Sequence, residues 1–224
     1  RGLFQIYPGT EGGFWRYLFN SAFVSATITV SALFLAAMAA YVLAKHRFPG
    51  RQALFLLFVA SMMIPWQVTI IPNFLNVNRF GWIDTFWVLI IPALPKAFAL
   101  FFLRQYMLSL PDEMLESGRL DGAGEFRIFW SLVLPLIGPA LVSMSLFIWL
   151  NEWNNLVWPL VTIRSEELRT LPLIMTTMVD PFSGATKQGV AMAAALLTSI
   201  PTLVLFILFQ KQFVQGIAVT SVKG

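Results

Sequence analysis

The chain has 224 residues, of which 58% are hydrophobic and 12% charged, with a formal net charge of +4. A soluble domain holds roughly 45–50% apolar residues even with glycine counted, and about 25% charged ones. The composition, with a mean hydropathy of +0.74, therefore excludes a disordered chain, a collagen-like chain and almost any soluble enzyme. Cysteine is absent and His46 is the only histidine, which leaves no disulfide framework, no thiolate or histidine-cluster metal site and no cysteine nucleophile. The basic residues are scattered among apolar segments rather than gathered in a stripe, which fits membrane loops better than a nucleic-acid surface.

Uncharged runs separate Arg16 from Lys45, Arg51 from Arg79, Arg127 from Glu152 and Lys187 from Lys211. Each exceeds the about 20 residues needed to cross a bilayer core. A further apolar stretch, 86–103, is interrupted by Lys96 alone. These runs predict an all-α integral membrane protein with five transmembrane helices, at about 19–44, 53–76, 86–108, 132–160 and 189–210, in one domain over 1–224. Their continuity excludes a β-barrel, whose strands would alternate over about 10 residues. Five spans put the two ends on opposite sides, and segment 1–19 is polar and glycine-containing, so a sixth span is expected ahead of Arg1.

With the C-terminus inside, Lys45, Arg47, Arg51, Arg104, Arg119, Arg127, Lys211 and Lys223 fall on the inner side. Arg1, Arg16, Arg79, Arg164, Arg169 and Lys187 fall outside. The bias is clearest in the 45–51 turn, with three cations and no acid, as positive-inside loops require. Trp15, Trp82, Trp87, Trp153 and Trp158 then lie near outer ends, as interfacial anchors. Pro65 and Pro72, Pro92 and Pro95, and Pro135 and Pro139 fall within three of the spans; each removes a backbone donor and favours a kink. Ala36, Ala40 and Ala44 recur at four-residue spacing, as do Gly189 and Ala193 with Ala191 and Ala195, and such small faces allow close helix approach.

No catalytic constellation is present. Segment 184–189 lacks the Gly-Lys-Ser/Thr ending of a phosphate loop, and His46 in its basic turn reads as solvated. The informative stretch is the polar loop of about 109–131. Pro111, Asp112 and Glu113 suit the first turn of a helix, Gly118 is expected to end it, and Asp121 to cap a second with Glu125 in its first turn. Phe126, Phe129 and Trp130 then share one face. Such a pair of short helices is either an amphipathic loop on the bilayer or a docking element.

Glu116-Ser117-Gly118, three residues, Gly122, nine residues, Leu132, one residue and Leu134-Pro135 match the spacing of the Glu-Ala-Ala signature in membrane subunits of ABC importers at every fixed point. Ser-Gly replaces Ala-Ala and Leu replaces Ile. The chain therefore resembles a type I ABC importer permease. Asn20-Ser21, the run from Tyr41 to Arg51, Ile64-Pro65, Ile71-Pro72, the run from Asn151 to Asn154, the run from Leu168 to Pro172 and the terminal Val222-Lys223-Gly224 make it similar to the carbohydrate-uptake branch, and within it to the second permease of maltose-type systems. The resemblance implies a bacterial or archaeal inner-membrane subunit with a cytoplasmic C-terminus. It implies a second permease, two cytoplasmic ATPases that bind the ATP and Mg, and an extracytoplasmic solute-binding protein as partners, with no cofactor, metal or catalytic residue in this chain.

ATPase coupling is expected at Glu116, Ser117, Gly118, Leu120, Asp121, Gly122, Ala123, Leu134 and Pro135. Loop 160–188 is expected to face outward toward the binding protein, and tail 215–224 to meet the ATPases. Intramembrane ionisable groups are costly and line cavities or meet partners, which marks Lys96 and Glu152; with Gln67, Asn151, Trp153 and Asn154 they are candidates for the translocation path, a sugar or oligosaccharide being the expected solute. Two other readings are a permease of the same kind for a polyamine or phosphodiester, and a secondary transporter, which would need no docking motif.

Overall fold

The computed structural model describes residues 13–178, 192 and 194–209, and among these it contains helices and turns but no strand. Helix α1 (Gly13–Lys45) has 33 residues, at 1.5 Å per residue about 50 Å, with neither Pro nor an internal Gly to interrupt it. It closes on Lys45, and Gly50, at φ +82°, turns the chain into α2 (Arg51–Ser61). There follow α3 (Trp66–Arg79), α4 (Phe86–Ile90) with a 3-10 turn at Ile91–Ala93, and α5 (Ala97–Leu108). Next come α6 (Asp112–Leu120), α7 (Glu125–Ile128), a π-helical turn at Phe129–Val133, α8 (Leu134–Leu136) and α9 (Gly138–Trp153). The last elements are α10 (Val157–Thr162), α11 (Leu171–Met178) and α12 (Ala194–Phe209).

The all-helical class agrees with the sequence, but the spans are less regular than expected. Only α1 is by itself long and apolar enough to cross a membrane; three more candidates pass when broken pairs are joined, Arg51–Ser61 with Trp66–Arg79, Phe86–Ala93 with Ala97–Leu108, and Glu125–Leu136 with Gly138–Trp153. The expected spans 53–76, 86–108 and 132–160, each marked for a kink by its prolines, are thus each interrupted. Proline explains the places. Pro65 stands in the first break, Pro95 in the second, and Pro139 two residues after the third, and none has an N–H to continue the ladder. The 132–160 span also stops at Trp153 and resumes as α10. Of the expected 189–210 span, α12 covers the larger part; residues 189–191, 193 and 210 lie outside the described residues, as do loop residues 179–188 and tail 215–224.

The described residues gather into two compact units. The first comprises the described parts of Arg1–Thr29, Thr69–Ala93 and Ile148–Leu208. Its core contains Phe14, Tyr17, Trp153, Leu171, Ile174 and Ala194. Trp153 is 1% exposed; its ring stacks on Trp149 at 5.5 Å and its indole N–H donates to the Thr198 carbonyl at 3.1 Å. It is a core residue and not the interfacial anchor expected of it. Pro92 leaves the carbonyl of Val88 without its helical donor, and the Trp158 indole N–H supplies one at 2.8 Å. The 163–171 segment is fastened by side chains: Asn20 Nδ2 donates to the carbonyls of Glu167 and Arg169 at 2.8 and 3.0 Å, and Ser21 Oγ accepts from the Leu171 amide at 2.7 Å.

The second unit comprises the described parts of Val30–Val68, Leu94–Phe147 and Phe209–Gly224. Ala36, Ala40 and Ala44 form a buried face of α1, as the four-residue spacing predicts. The end of α1 leaves orphan carbonyls, and the buried Arg104 satisfies one by donating from Nε to Leu43 at 3.1 Å. The same guanidinium lies 3.8 Å above the Phe55 ring, a cation–π contact that helps offset its desolvation.

Candidate functional site

The polar 109–131 stretch folds as a helical hairpin within the second unit. Pro111 occupies the N-cap of α6, with Asp112 and Glu113 in its first turn. Gly118 does not end the helix as expected; it lies inside it, buried, because a Cβ there would sit 3.0 Å from Leu132 Cδ1 and 3.5 Å from Ile128 Cγ1. The missing side chain lets α6 lie close against the following helix. The helix ends at Leu120, where the Gly122 amide donates to the Arg119 carbonyl and the Ala123 amide to the Gly118 carbonyl, both at 3.0 Å. That bond pair is a Schellman motif, which needs a left-handed residue at its turn, and Gly122 has φ +80°. Asp121 therefore closes α6 rather than capping the next helix; the N-cap of α7 is Gly124.

The exposed side of the hairpin sets large apolar side chains among charged and polar ones. Leu120 is 88% exposed and Phe126 63%, and Glu116, Ser117 and Asp121 are exposed beside them. An open cavity of about 350 Å³ is lined by residues that include Met114, Ser117, Gly118, Asp121, Ala123 and Arg127. Six of the seven expected coupling positions between 116 and 123 face solvent wholly or in part. Phe126 and Trp130 touch edge to face at 6.2 Å, Trp130 stacks on Phe34 of α1 at 5.7 Å, and Phe129 is buried. The expected aromatic face exists, with Phe129 turned inward. The π-helical turn precedes Leu134-Pro135, where Pro135 cannot donate to the carbonyl of Ser131 and the backbone widens.

Electrostatic ties hold the hairpin to the end of α1. Glu125 accepts from Tyr41 Oη at 2.6 Å and from Arg119 Nε at 2.8 Å, and its Oε2 lies 3.2 Å from His46 Nε2. Lys45 Nζ donates to Asp112 Oδ1 at 2.6 Å and to the Leu110 carbonyl at 2.7 Å. The bond from the Arg119 guanidinium, then that from the Tyr41 hydroxyl, hold the Glu125 carboxyl below the usual carboxylate range, and the Lys45 ammonium does the same for Asp112. His46 is thus engaged, contrary to its solvated reading. Tyr41, Lys45, Asp112 and Glu125 were not singled out as site residues. The signal available was the acid-free 45–51 turn in a chain whose longest polar stretch begins with two acids.

The path candidates fall on different elements, Gln67 and Lys96 in the second unit and residues 151–154 in the first. Gln67 is exposed near the start of α3, and Lys96 stands in the break between the two halves of the candidate span 86–108, immediately before α5. Asn151 and Asn154 are exposed at the end of α9, Glu152 is half-buried, and Asn155 Nδ2 donates to its carboxylate at 3.4 Å. Trp153 belongs to the core described above. Among the described residues no cluster of His, Cys, Asp and Glu is arranged to hold a metal.

A family profile described as "Binding-protein-dependent transport system inner membrane component" matches residues 15–219, and the chain belongs to that family. It is a permease subunit of an ABC importer, embedded in the membrane. It is 38% identical over 220 residues to the arabinooligosaccharides transport system permease protein AraQ of Halalkalibacterium halodurans, covering 98% of this chain and 78% of that one. It is 36% identical to AraQ of Bacillus subtilis, covering 94% and 74%. It is also 33% identical to the sn-glycerol-3-phosphate transport system permease protein UgpE of Yersinia enterocolitica, covering 91% and 73%. Among solved structures it matches a chain of a bacterial ABC transporter involved in the import of the acidic polysaccharide alginate, with a TM-score of 0.82 at 26% identity, covering 89% and 75%. The MetNI methionine ABC transporter shares the fold, with a TM-score of 0.61 at 15% identity, covering 90% of this chain and 93% of that one.

Proposed function

We propose that this subunit forms half of the path of an oligosaccharide importer and that its 112–128 hairpin is the element through which two cytoplasmic ATPases move it. The observation that carries the reading is the hairpin itself. Its turn is locked by Gly122, its inner side is packed closely at Gly118 with room for no large side chain, and its outer side presents Leu120, Phe126 and Met114 to solvent. Exposed apolar side chains on a rigid frame are what a protein partner buries. The C-terminus and the hairpin lie on the cytoplasmic side, a second permease completes the path, and an extracytoplasmic binding protein delivers the solute. Asn151, Glu152 and Asn154 are the better-supported path residues, because they bring polar groups together at one helix end; Gln67 and Lys96 stand apart from them along the chain. The oligosaccharide class rests on similarity to the arabinooligosaccharide permeases over nearly the whole chain.

Purification of the tagged protein from native membranes tests the assembly: an ATPase and a second permease should accompany it. Vesicles of that complex, supplied with the cognate binding protein and ATP, should take up arabinotriose in preference to sn-glycerol 3-phosphate. Uptake of either solute by the lone subunit without ATP would replace this reading with a secondary transporter.

A further inference from the structure

The signature positions break off at Gly122 and resume at Leu132, and Glu125 lies between them. It nevertheless joins more side chains than any signature residue. One carboxylate meets Arg119 of the hairpin, Tyr41 of the last turns of α1, and His46 just beyond that helix. At the other end of the hairpin Lys45, whose side chain is only 5% exposed, holds Asp112 and the Leu110 carbonyl. The hairpin is thus gripped at both ends by residues within one turn or so of the end of α1. The packing of Phe129 and Trp130 on Phe34 and Tyr41 is apolar and permits sliding, whereas a carboxylate shared by a hydroxyl and a guanidinium fixes direction.

We infer that Glu125 is a positioning residue that makes the hairpin and the inner end of α1 one lever, so that a push on the hairpin becomes a displacement of the helix. This rests on the coupling reading above. ATP shifts the gate only if the ATPase-bound state of the hairpin is energetically distinguishable at the helix, and a hairpin held by charge only at its Lys45 end would pivot there and absorb the push. Of the groups that face the grip, Arg119 and His46 bear on Glu125, and Lys45 and Arg47 bear on Asp112, whose carboxylate is already held at the other end, so none replaces the Glu125 carboxylate.

The test uses the assembled importer in nanodiscs. Because the chain has no cysteine, a nitroxide can be placed at Glu113→Cys on the hairpin or at Val42→Cys on α1, with the partner subunits' own cysteines replaced. Spectra are compared without nucleotide and after ATP with vanadate. In the otherwise unaltered complex both labels should respond. In Glu125→Ala the ATPases should remain bound and hydrolyse ATP, and the Glu113 label should still respond, but the Val42 response should fall about fivefold or more, the scale of a lost coupling energy. Glu125→Gln, which keeps an acceptor for Tyr41 and Arg119, should retain more of it. A Val42 response unchanged in Glu125→Ala, or one that falls in step with the Glu113 response, overturns the inference. If Glu125→Ala does not assemble, Tyr41→Phe decides by the same two readings. Absence of ATPases from the unaltered complex would sink the coupling reading itself, which separates that failure from this one.

Discussion

Two glycines of the hairpin do different work, and substitution separates them. Gly122 has φ +80° with open space where a Cβ would stand, so its constraint is conformational. Gly122→Ala should destabilise the turn by about 1–2 kcal/mol, the cost of a left-handed non-glycine residue, and Gly122→Asn by less, since asparagine visits that region more readily. Amide exchange at Gly122 and Ala123, read by mass spectrometry, should rise in that order; equal exchange in both variants would contradict the Schellman assignment. Gly118 has ordinary helical backbone, so its constraint is space. Gly118→Ala meets only the tip of a flexible leucine at 3.0 Å and should be tolerated, in keeping with the alanine of the signature it resembles. Gly118→Leu overpacks the hairpin and should cost about 1–3 kcal/mol, seen as a lowered midpoint of thermal unfolding. Asp84 makes a third case. At φ +61° it accepts from the amides of Arg164 and Ser165 and from the Ser165 hydroxyl, each at 2.9 Å. Burial works to raise its carboxyl, but the bonds from Ser165 and Arg164 prevail and lower it. Asp84→Ala should speed exchange of those two amides about tenfold, the loss expected for hydrogen bonds to a charged acceptor, while Asp84→Asn keeps an acceptor and tolerates the backbone.

At the level of elements, the hairpin's attachment should be acid-labile with a sign fixed by its carboxylates. Glu125 and Asp112 are both held below their usual range in the folded state. A group lowered on folding contributes fully above its unfolded value, about 4.3 for Glu and 3.9 for Asp, and loses that contribution as pH falls through the lowered folded value. The ties are therefore complete at neutral pH, and a nitroxide at Glu113→Cys should gain mobility only below about pH 4; gain on raising the pH from neutrality would contradict the assignment. Both carboxylates are substantially exposed, so the effect should shrink with added salt. The hairpin was legible in the sequence because its determinants are local, acids in a first turn and a fixed spacing to Leu134-Pro135, although the glycine that stops the first helix is Gly122 and not the expected Gly118. Its attachments were not, because His46 and Glu125, or Gly118 and Leu132, meet only once the chain has folded. A glycine in mid-helix reads as a terminator until the leucine above it is known. Trp153 was misread for the same reason: nothing near it in sequence announces the Thr198 carbonyl. The prolines were visible, and the helix breaks they accompany are the part of the fold that periodicity and charge gaps smooth over.

For the whole molecule the question is which side each loop occupies, because the docking reading requires the hairpin and the 45–51 turn on the ATPase side. The lysine and arginine balance favours that side only modestly, and the broken pair Arg51–Ser61 and Trp66–Arg79 has two geometries: one interrupted span, or a segment that re-enters and returns. They differ in a single observable. An interrupted span carries Arg79 to the outer face, as alternation from the basic 45–51 turn demands; a re-entrant segment leaves Arg79 beside Arg51. The absence of native cysteine makes the experiment direct. Single cysteines at Arg47, Arg79, Glu116 and Arg164 in intact cells are exposed to a membrane-impermeant maleimide. Arg47→Cys and Glu116→Cys should be protected until the cells are opened, and Arg79→Cys and Arg164→Cys should react at once. Reaction at Glu116→Cys from outside would place the hairpin beyond any cytoplasmic ATPase and remove the basis for coupling. Protection at both Arg79→Cys and Glu116→Cys together with reaction at Arg164→Cys would keep the coupling but leave the second and third apolar segments both re-entrant, and the chain would then cross the membrane two times fewer than its charge gaps imply.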